Sequence, residues 1–422
     1  RCWITELTNG SCGGFVGIYI CSADGTATFA GDTTSGVQLY GAQVTVGYGL
    51  QEYGTTYKAS LPATRTGTDV VPQIERFEMA TVAEMVAMVD LPNGKLVNLL
   101  GYYAIGDGGG QDLIYRKAGR SANSIANDAG FYFFGPGADD YFEAVDRSEV
   151  IASRWGIKRT DVGEAALDCT TRMQAAITAC QATNDSPGTD GNRMLKLHAG
   201  EYHINAPLVI KSGVMIKGDG TRIRKGASWV GANICFALTG GSSSKVNNVH
   251  ISEIEVEGAF AFCDLVTATS TNRSYLGLSS FRDIKLDTTD GFILDYYAQS
   301  CTFERILSIG AIERFFALAG NFNSLNDITQ EGSTGTSTDP IFAVYGYSLT
   351  NPTIAGPTLG LSINELLIEG NGSVNKTPIL IDGVGSARID NVHVEVNVSD
   401  GYAIKINDCG VIFVSGDQYH AA

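Results

Sequence analysis

"FERILSIG", residues 303–310, has five look-alikes in the same chain: "ISEIEVEG" (251–258), "FRDIKLDT" (281–288), "LNDITQEG" (325–332), "INELLIEG" (363–370) and "IDNVHVEV" (389–396). Each reads apolar, two mostly polar residues, apolar, any residue, then usually apolar, and in five of the six the next position is Asp or Glu. Aligned on the central apolar residue (Ile254, Ile284, Ile306, Ile328, Leu366, Val392), the copies recur at steps of 30, 22, 22, 38 and 26 residues. A variable period of this size is that of a solenoid with loops inserted in some turns, each turn adding one strand to a parallel sheet. A second strand follows 8 to 14 residues after the centre, as in "FILDYY", "FFALAG", "FAVYGY", "LIDG" and "IKIND". Two strands per coil, stacked in register, are what a parallel β-helix requires.

Strand alternation places the central residue and the residue two later inside, and the residues at −1, +1 and +3 outside. The recurring acid (Glu257, Asp287, Glu331, Glu369, Glu395) is then one column of an outward wall. Coils lie ~4.8 Å apart, so like charges stacked in a column repel. Two readings of such a column stand side by side. Acids at strand ends keep an exposed sheet in water and block edge pairing; alternatively, part of the wall is a glycan site with acid/base carboxylates.

The third coil separates these readings in one place, because it carries Arg305, Leu307 and Ile309 where its neighbours carry acids. Asp287 and Glu331 therefore face each other across two coil steps, ~9.6 Å. Inverting glycosidases hold their carboxyl groups ~6.5 to 9.5 Å apart, whereas directly stacked acids fall nearer the ~5 to 5.5 Å of retaining enzymes. Asp287 and Glu331 are accordingly the candidate acid/base pair, with Asp283 and Asp327 as supporting carboxylates beside Arg305. Arg305 reads either as the partner that neutralises those two aspartates or as a substrate ligand. Tyr345 and Tyr347, in the insertion of the longest step, and Tyr296 and Tyr297, on the second strand of an earlier coil, are candidate stacking platforms for sugar rings or simply packed aromatics.

The 422 residues include 51 glycines and 10 prolines, 44% are hydrophobic and only 18% charged, a balance that suits many short strands and turns. Net charge is −16, from 45 acids and 29 bases, which excludes the basic footprint that nucleic-acid binding needs. No apolar run reaches the ~18 residues of a membrane span. Nine cysteines, an odd number without a CxxC pair, read as reduced and mostly buried thiols of a protein assembled in a reducing cytoplasm. With five histidines and neither HExxH nor GxSxG, no metal site and no cofactor is expected. The start at "RCWITEL" looks like the inside of a strand and the end at "VSGDQYHAA" carries no terminator, so further chain is expected on both sides.

Several segments carry a resemblance to known proteins. "LYGAQVTVGYGLQEYGTTYKASLPATRTGTD" (39–69) resembles the closing strands of the concanavalin-like jelly-roll modules of phage tail proteins. "GYYAIGDGGG" (101–110) resembles the segment that precedes the β-helix in bacteriophage tailspikes, and its glycines are not a phosphate loop, since no GK[ST] follows. "EVIASRWGIK" (149–158), "DCTTRMQAAITACQAT" (168–183), "LHAGEYHINAPLVI" (197–210) and "SGVMIKGDG" (212–220) are similar to the entry strand, capping helix and turns of the pectate-lyase-like superfamily. Two departures are His198, where Pro is usual, and the aspartates opening the helix, thinned to Asp161 and Asp168. The helix has its own physical sense: Met173, Ala176, Ile177 and Cys180 form an apolar stripe suited to covering the first coil.

The fold expected is all-β: a right-handed single-stranded parallel β-helix with an N-terminal capping helix, preceded by a partial antiparallel β jelly roll. The division expected is a jelly-roll remnant over 1–72, a helical linker over 73–98, a β-rich neck over 99–150, entry strand and capping helix over 151–205, and the β-helix over 206–422. The resemblance to tailspikes and tail fibres implies a homotrimer on the phage tail, joined to other tail or baseplate proteins. Such a protein is assembled in the bacterial cytoplasm and acts outside the host cell. It implies binding, and often cleavage, of host surface polysaccharide, with no nucleic-acid partner and no membrane insertion. A non-enzymatic attachment fibre and a secreted bacterial polysaccharide lyase are the alternatives, although a lyase calls for a Ca²⁺ site and a basic proton acceptor that the sequence does not group.

Overall fold

In the computed structural model Thr302–Ile309 pairs in parallel with Ser280–Thr288 on one side and Ser324–Glu331 on the other. His250–Gly258, Leu361–Val374 and Ser386–Val398 extend the same sheet. The six central residues fall in one register column, Ile254, Ile284, Ile306, Ile328, Leu366 and Val392, all buried. The sheet reaches twelve strands, with Met194–Lys196, Gly200–Ile204 and Met215–Lys225 before the repeats and Val411–Ser415 after them. The second strands form a seven-stranded parallel sheet that includes Tyr296–Gln299, Phe316–Ala319, Phe342–Tyr345, Ile379–Asp382 and Ile404–Asn407. Leu208–Ile210, Ile234–Leu238 and Ala261–Leu265 make a third, three-stranded parallel sheet. The chain is a parallel β-helix.

The structure describes residues 76–422 apart from 124, 161–166, 182–192, 240–244, 259–260, 266–274, 289–290, 293–295, 311–314, 333–339, 347–358, 375–376, 399–401, 416–417 and 420–422. Two compact units divide the chain, Arg1–Gln73 and Ile74–Ala422. The jelly-roll segment 1–72, Asp161 and Tyr347 lie outside the described residues, as do Cys2, Cys12 and Cys21. No described helix is long and apolar enough to cross a membrane.

One feature of the coils departs from simple alternation. The residue before each centre, Glu253, Asp283, Arg305, Asp327, Glu365 or Asn391, has φ between 53° and 60°. A single left-handed residue bends the strand and resets its period. The residue three before each centre (Ile251, Phe281, Phe303, Leu325, Ile363, Ile389) therefore also points inward and is buried. This is why the repeat reads apolar, two polar, apolar: the second polar position is a corner.

Ahead of the coils, β1 (Phe77–Met79), β2 (Leu96–Leu99), β3 (Gln111–Arg116), β4 (Tyr132–Phe134) and β5 (Tyr141–Ala144) form one sheet in the order β1-β2-β3-β5-β4. Among the described residues of 73–98 the helix is α1 (Val82–Ala87), between two strands of that sheet. Thr81 caps it by accepting from the Glu84 N–H at 3.2 Å, while Glu84 accepts from the Ala80 N–H at 2.8 Å. The helix ends at Met88, before Pro92.

The glycine-rich loop 101–110 serves its own carboxylate. Asp107 accepts hydrogen bonds from the backbone N–H groups of Tyr102, Tyr103, Ala104 and Gly109 at 2.9, 2.7, 3.1 and 2.8 Å. A Cβ on Gly109 would lie 2.5 Å from the Tyr102 Cβ, so only glycine fits there. Partial burial pulls the Asp107 carboxyl upward, but the four N–H donors outweigh it and hold it below the ordinary carboxylate range. The unfolded chain then binds the proton more readily, so this contribution is complete above the unfolded value of ~3.9 and is lost as pH falls through the lower folded value. Asp107→Ala is expected to lower the unfolding midpoint at neutral pH and to flatten its acid limb between about pH 5 and pH 2. Thermal unfolding across that range checks it, and a variant curve parallel to wild type contradicts it.

α2 (Thr170–Cys180) lies against Leu208–Ile210 and buries Met173, Ala176, Ile177 and Cys180, the stripe read from the sequence. Its side chains also satisfy backbone of the coil beneath. Gln174 accepts from the Val209 N–H at 2.7 Å and donates to the Val209 carbonyl at 3.1 Å, and Thr170 Oγ1 accepts from the Asn205 N–H at 2.7 Å. Polar groups that an uncovered coil would leave facing the helix are thereby paired.

Cys169, Cys180, Cys235, Cys263 and Cys301 are buried and Cys409 is half-buried. Burial pushes the thiols of Cys169 and Cys301 up to about 11 and that of Cys180 up to about 12, and raises Cys235 well above the usual value. In the native protein at pH 8, iodoacetamide is expected to leave these four cysteines unmodified, and peptide mapping after labelling reads this directly. Rapid labelling at any of the four would contradict the buried placement.

Candidate functional site

Two outward columns run along the wall sheet. The +1 column reads Glu201, Arg222, Glu255, Lys285, Leu307, Thr329, Leu367, His393. The +3 column begins His203, Arg224, Glu257, Asp287 and continues through Ile309, Glu331, Glu369 and Glu395. Their first halves form an ion ladder. Arg222 meets Glu255 at 3.1 Å and Glu257 at 3.5 Å, Arg224 meets Glu257 at 2.7 Å and Glu201 at 3.1 Å, and Lys285 reaches Glu255 at 2.9 Å. Partial burial raises the Glu255 carboxyl, and hydrogen bonds from Lys285 and Arg222 overcome that and hold it below the usual range. Glu255 and Glu257 are thus structural acids, neutralised by bases of adjacent strands.

Sequence reading missed this ladder because it began at residue 251. "TRIRK" (221–225) carries Arg222 and Arg224 at alternate positions around the inward Ile223, the signal of one more wall strand.

Beyond the ladder the wall changes character. Asp287 and Glu331 are exposed, and among the described residues neither carboxylate takes a hydrogen bond or an ion pair. They stand in one column on the strands either side of Thr302–Ile309, with Ile309 between them. The separation is two strand spacings, ~9.6 Å. The apolar intervening side chain leaves the gap without a competing charge.

Asp283, Arg305 and Asp327 occupy the corner column rather than the flat face. Arg305 holds Asp283 through two hydrogen bonds, Nε to Oδ1 at 2.5 Å and Nη2 to Oδ2 at 2.9 Å, and also pairs with Glu304. No ion pair joins Arg305 to Asp327 among the described residues. Its hydrogen bonds keep the Asp283 carboxyl below the ordinary range despite partial burial, so that group is ionised near neutrality and suits charge compensation, not proton donation.

Three of the four tyrosines, Tyr296, Tyr297 and Tyr345, lie on strands of the other sheet. Tyr345 is 8% exposed and packs with Ala317, Ala319 and Ala343, so its ring is a packed aromatic and offers little face to a sugar. Tyr296 and Tyr297 are placed by their backbone on the strand Tyr296–Gln299, two strands away in the same sheet, and their side chains, like all of Tyr347, lie outside the described residues. At the far end of the wall the structure also gathers Glu369, His393 and Glu395, one donor atom of each lying within 4.8 Å of the others. Sequence reading expected no metal and did not group these three.

Fold and wall together define a parallel β-helix with an outward face of carboxylates, part of it neutralised and part left open. No family model and no curated protein matches the sequence. Phage tailspikes are among the solved structures similar to it. One is the gp42 tailspike of Acinetobacter phage vb_AbaP_AS12, with a TM-score of 0.45 and 12% identity over 82% of this chain and 75% of that one. The tailspike of Acinetobacter phage vB_ApiP_P1 gives 0.45 and 13% over 82% and 70%. The gp49 tailspike of Acinetobacter baumannii bacteriophage Fri1, described as a capsular polysaccharide depolymerase, gives 0.39 and 13% over 81% and 71%.

Proposed function

We propose that this protein is a phage tailspike that binds bacterial surface polysaccharide, capsule or O-antigen, and hydrolyses its glycosidic bonds on the wall sheet. The observation that carries the catalytic part is the open pair Asp287 and Glu331, two carboxylates in one column separated by an apolar residue while the acids of the preceding strands are consumed by arginines and a lysine. A spacing of ~9.6 Å, at the upper edge of the ~6.5 to 9.5 Å of inverting hydrolases, leaves room for a water between nucleophile activation on one side and leaving-group protonation on the other. One carboxyl group acts as general acid on the glycosidic oxygen and the other as general base on the water. The resemblance of "GYYAIGDGGG" and the entry segments to tailspikes supports the biological setting: a homotrimer on the virion tail, attached to other tail or baseplate proteins.

Incubation of the protein with capsule or O-antigen preparations tests the reading. New reducing ends without ultraviolet absorbance indicate hydrolysis. Absorbance of an unsaturated uronate indicates a lyase. Retention of polysaccharide without cleavage is the behaviour of a non-enzymatic attachment fibre.

A further inference from the structure

Glu369 and Glu395 are register partners on adjacent strands of the wall, so two carboxylates face each other at one strand spacing, ~4.8 Å. Earlier in the same sheet Glu257 and Asp287 are likewise opposed, and there Arg224 lies 2.7 Å and Arg222 3.5 Å from Glu257. At Glu369 and Glu395 no Lys or Arg stands within ion-pair distance among the described residues. The third group is an imidazole. His393 lies two residues before Glu395, hence on the same face, with its Nε2 3.6 Å from Glu395 Oε2.

We propose that Glu369, His393 and Glu395 bind a divalent cation of the Zn²⁺, Co²⁺ or Mn²⁺ class, bridging the last two long wall strands. A nitrogen and two carboxylate oxygens are a borderline donor set that suits these ions, while Ca²⁺ asks for six to eight oxygens. Three protein ligands leave a fourth position open to water. Donors bound at ~2.1 Å around one tetrahedral ion sit ~3.4 Å apart, so a cluster whose donors lie within 4.8 Å closes by at most ~1.4 Å, a change that rotation of two glutamate side chains supplies. His393 and Glu395 are 30% and 57% exposed at the side chain, which gives the ion a direct path from solvent. The cation replaces at this end of the wall the positive charge that Arg222, Arg224 and Lys285 supply at the other. Because Glu369 and Glu395 belong to different coils, an ion held between them ties the coils together and stabilises the folded chain by mass action.

The full chain, stripped with EDTA and titrated with Co²⁺, is expected to develop a visible d–d absorption band that saturates at one equivalent, and Zn²⁺ is expected to raise its unfolding midpoint. Both responses should weaken by at least ~10-fold in metal concentration in His393→Ala and in Glu369→Gln. Glu395→Gln, at the most exposed of the three side chains, serves as a further variant whose midpoint in EDTA shows that folding is retained. An unchanged Co²⁺ titration in these variants assigns the binding to other residues and overturns the proposal. Absence of any band or midpoint shift in wild type up to ~1 mM metal overturns it equally, since a three-ligand site binds well below that.

Discussion

Asp287→Asn and Glu331→Gln are each expected to reduce polysaccharide turnover at least ~100-fold, the usual share of a positioned general acid or base, with glycan binding and unfolding midpoint near wild type. Both groups are exposed and hold no hydrogen bond or ion pair among the described residues, so the amides remove charge and proton transfer without disturbing a packed contact. Glu255→Gln is the contrasting change. Its carboxylate joins Arg222 at 3.1 Å and Lys285 at 2.9 Å, so this variant should leave turnover intact and lower stability by about 1 kcal/mol, as expected for a part-exposed, hydrogen-bonded charge pair. Release of reducing ends under single-turnover and steady-state conditions, compared with equilibrium glycan binding, separates the two behaviours. Wild-type rates in both amide variants would return the whole acid column to the solubilising role.

The distinction between those acids marks where sequence and structure part company. The six repeats identify the coils because burial of a strand's inner face is a short-range, period-two demand that every coil meets with its own residues, and Ile254, Ile284, Ile306, Ile328, Leu366 and Val392 do align in register. The capping stripe of Met173, Ala176, Ile177 and Cys180 is legible for the same reason, at helical period. A left-handed residue leaves no such mark. Asp283 and Asn391 are at ease at positive φ, but Glu253, Arg305 and Glu365 take the same conformation because the coil around them imposes it. Charge compensation is invisible for a different reason: Arg222 pairs with Glu255, 33 residues away, and only register decides which base faces which acid. Register likewise brings Glu369 to His393 and Glu395, and burial, not composition, withdraws Tyr345 from the surface. The acid column was readable in full, whereas the division of its members into paired and open ones needed the strand before the first repeat.

Phe292→Ala is expected to lower stability by about 3–5 kcal/mol, for the removed ring and the cavity it leaves. Phe292 is fully buried in the bend ahead of the strand Tyr296–Gln299. Its ring stacks on Phe262 at 4.7 Å and on Phe316 at 5.0 Å, and meets Phe281 and Phe303 edge-on at 5.5 and 5.8 Å. Phe316 in turn meets Phe342 in a tilted contact at 5.7 Å, and Phe281 stacks on Phe303 at 5.5 Å. Each coil of a solenoid touches only its neighbours, so a ring bonded by dispersion to the coil before and the coil after carries the coupling between them. Deleting it removes four aromatic contacts, two stacked and two edge-on, at the interface of successive coils. Phe292→Leu refills most of the volume and should cost less than half as much, although it forfeits the ring geometry worth ~0.5–1.5 kcal/mol per aromatic pair. Unfolding rate in denaturant is the appropriate readout for a long coil that unfolds slowly, with the alanine variant unfolding fastest, leucine intermediate and wild type slowest. Equal unfolding rates for alanine and wild type would mean that the aromatic stacks are not what couples the coils. In that case the backbone ladders, with Ile284 and Ile306 inside them, hold the β-helix together without the rings.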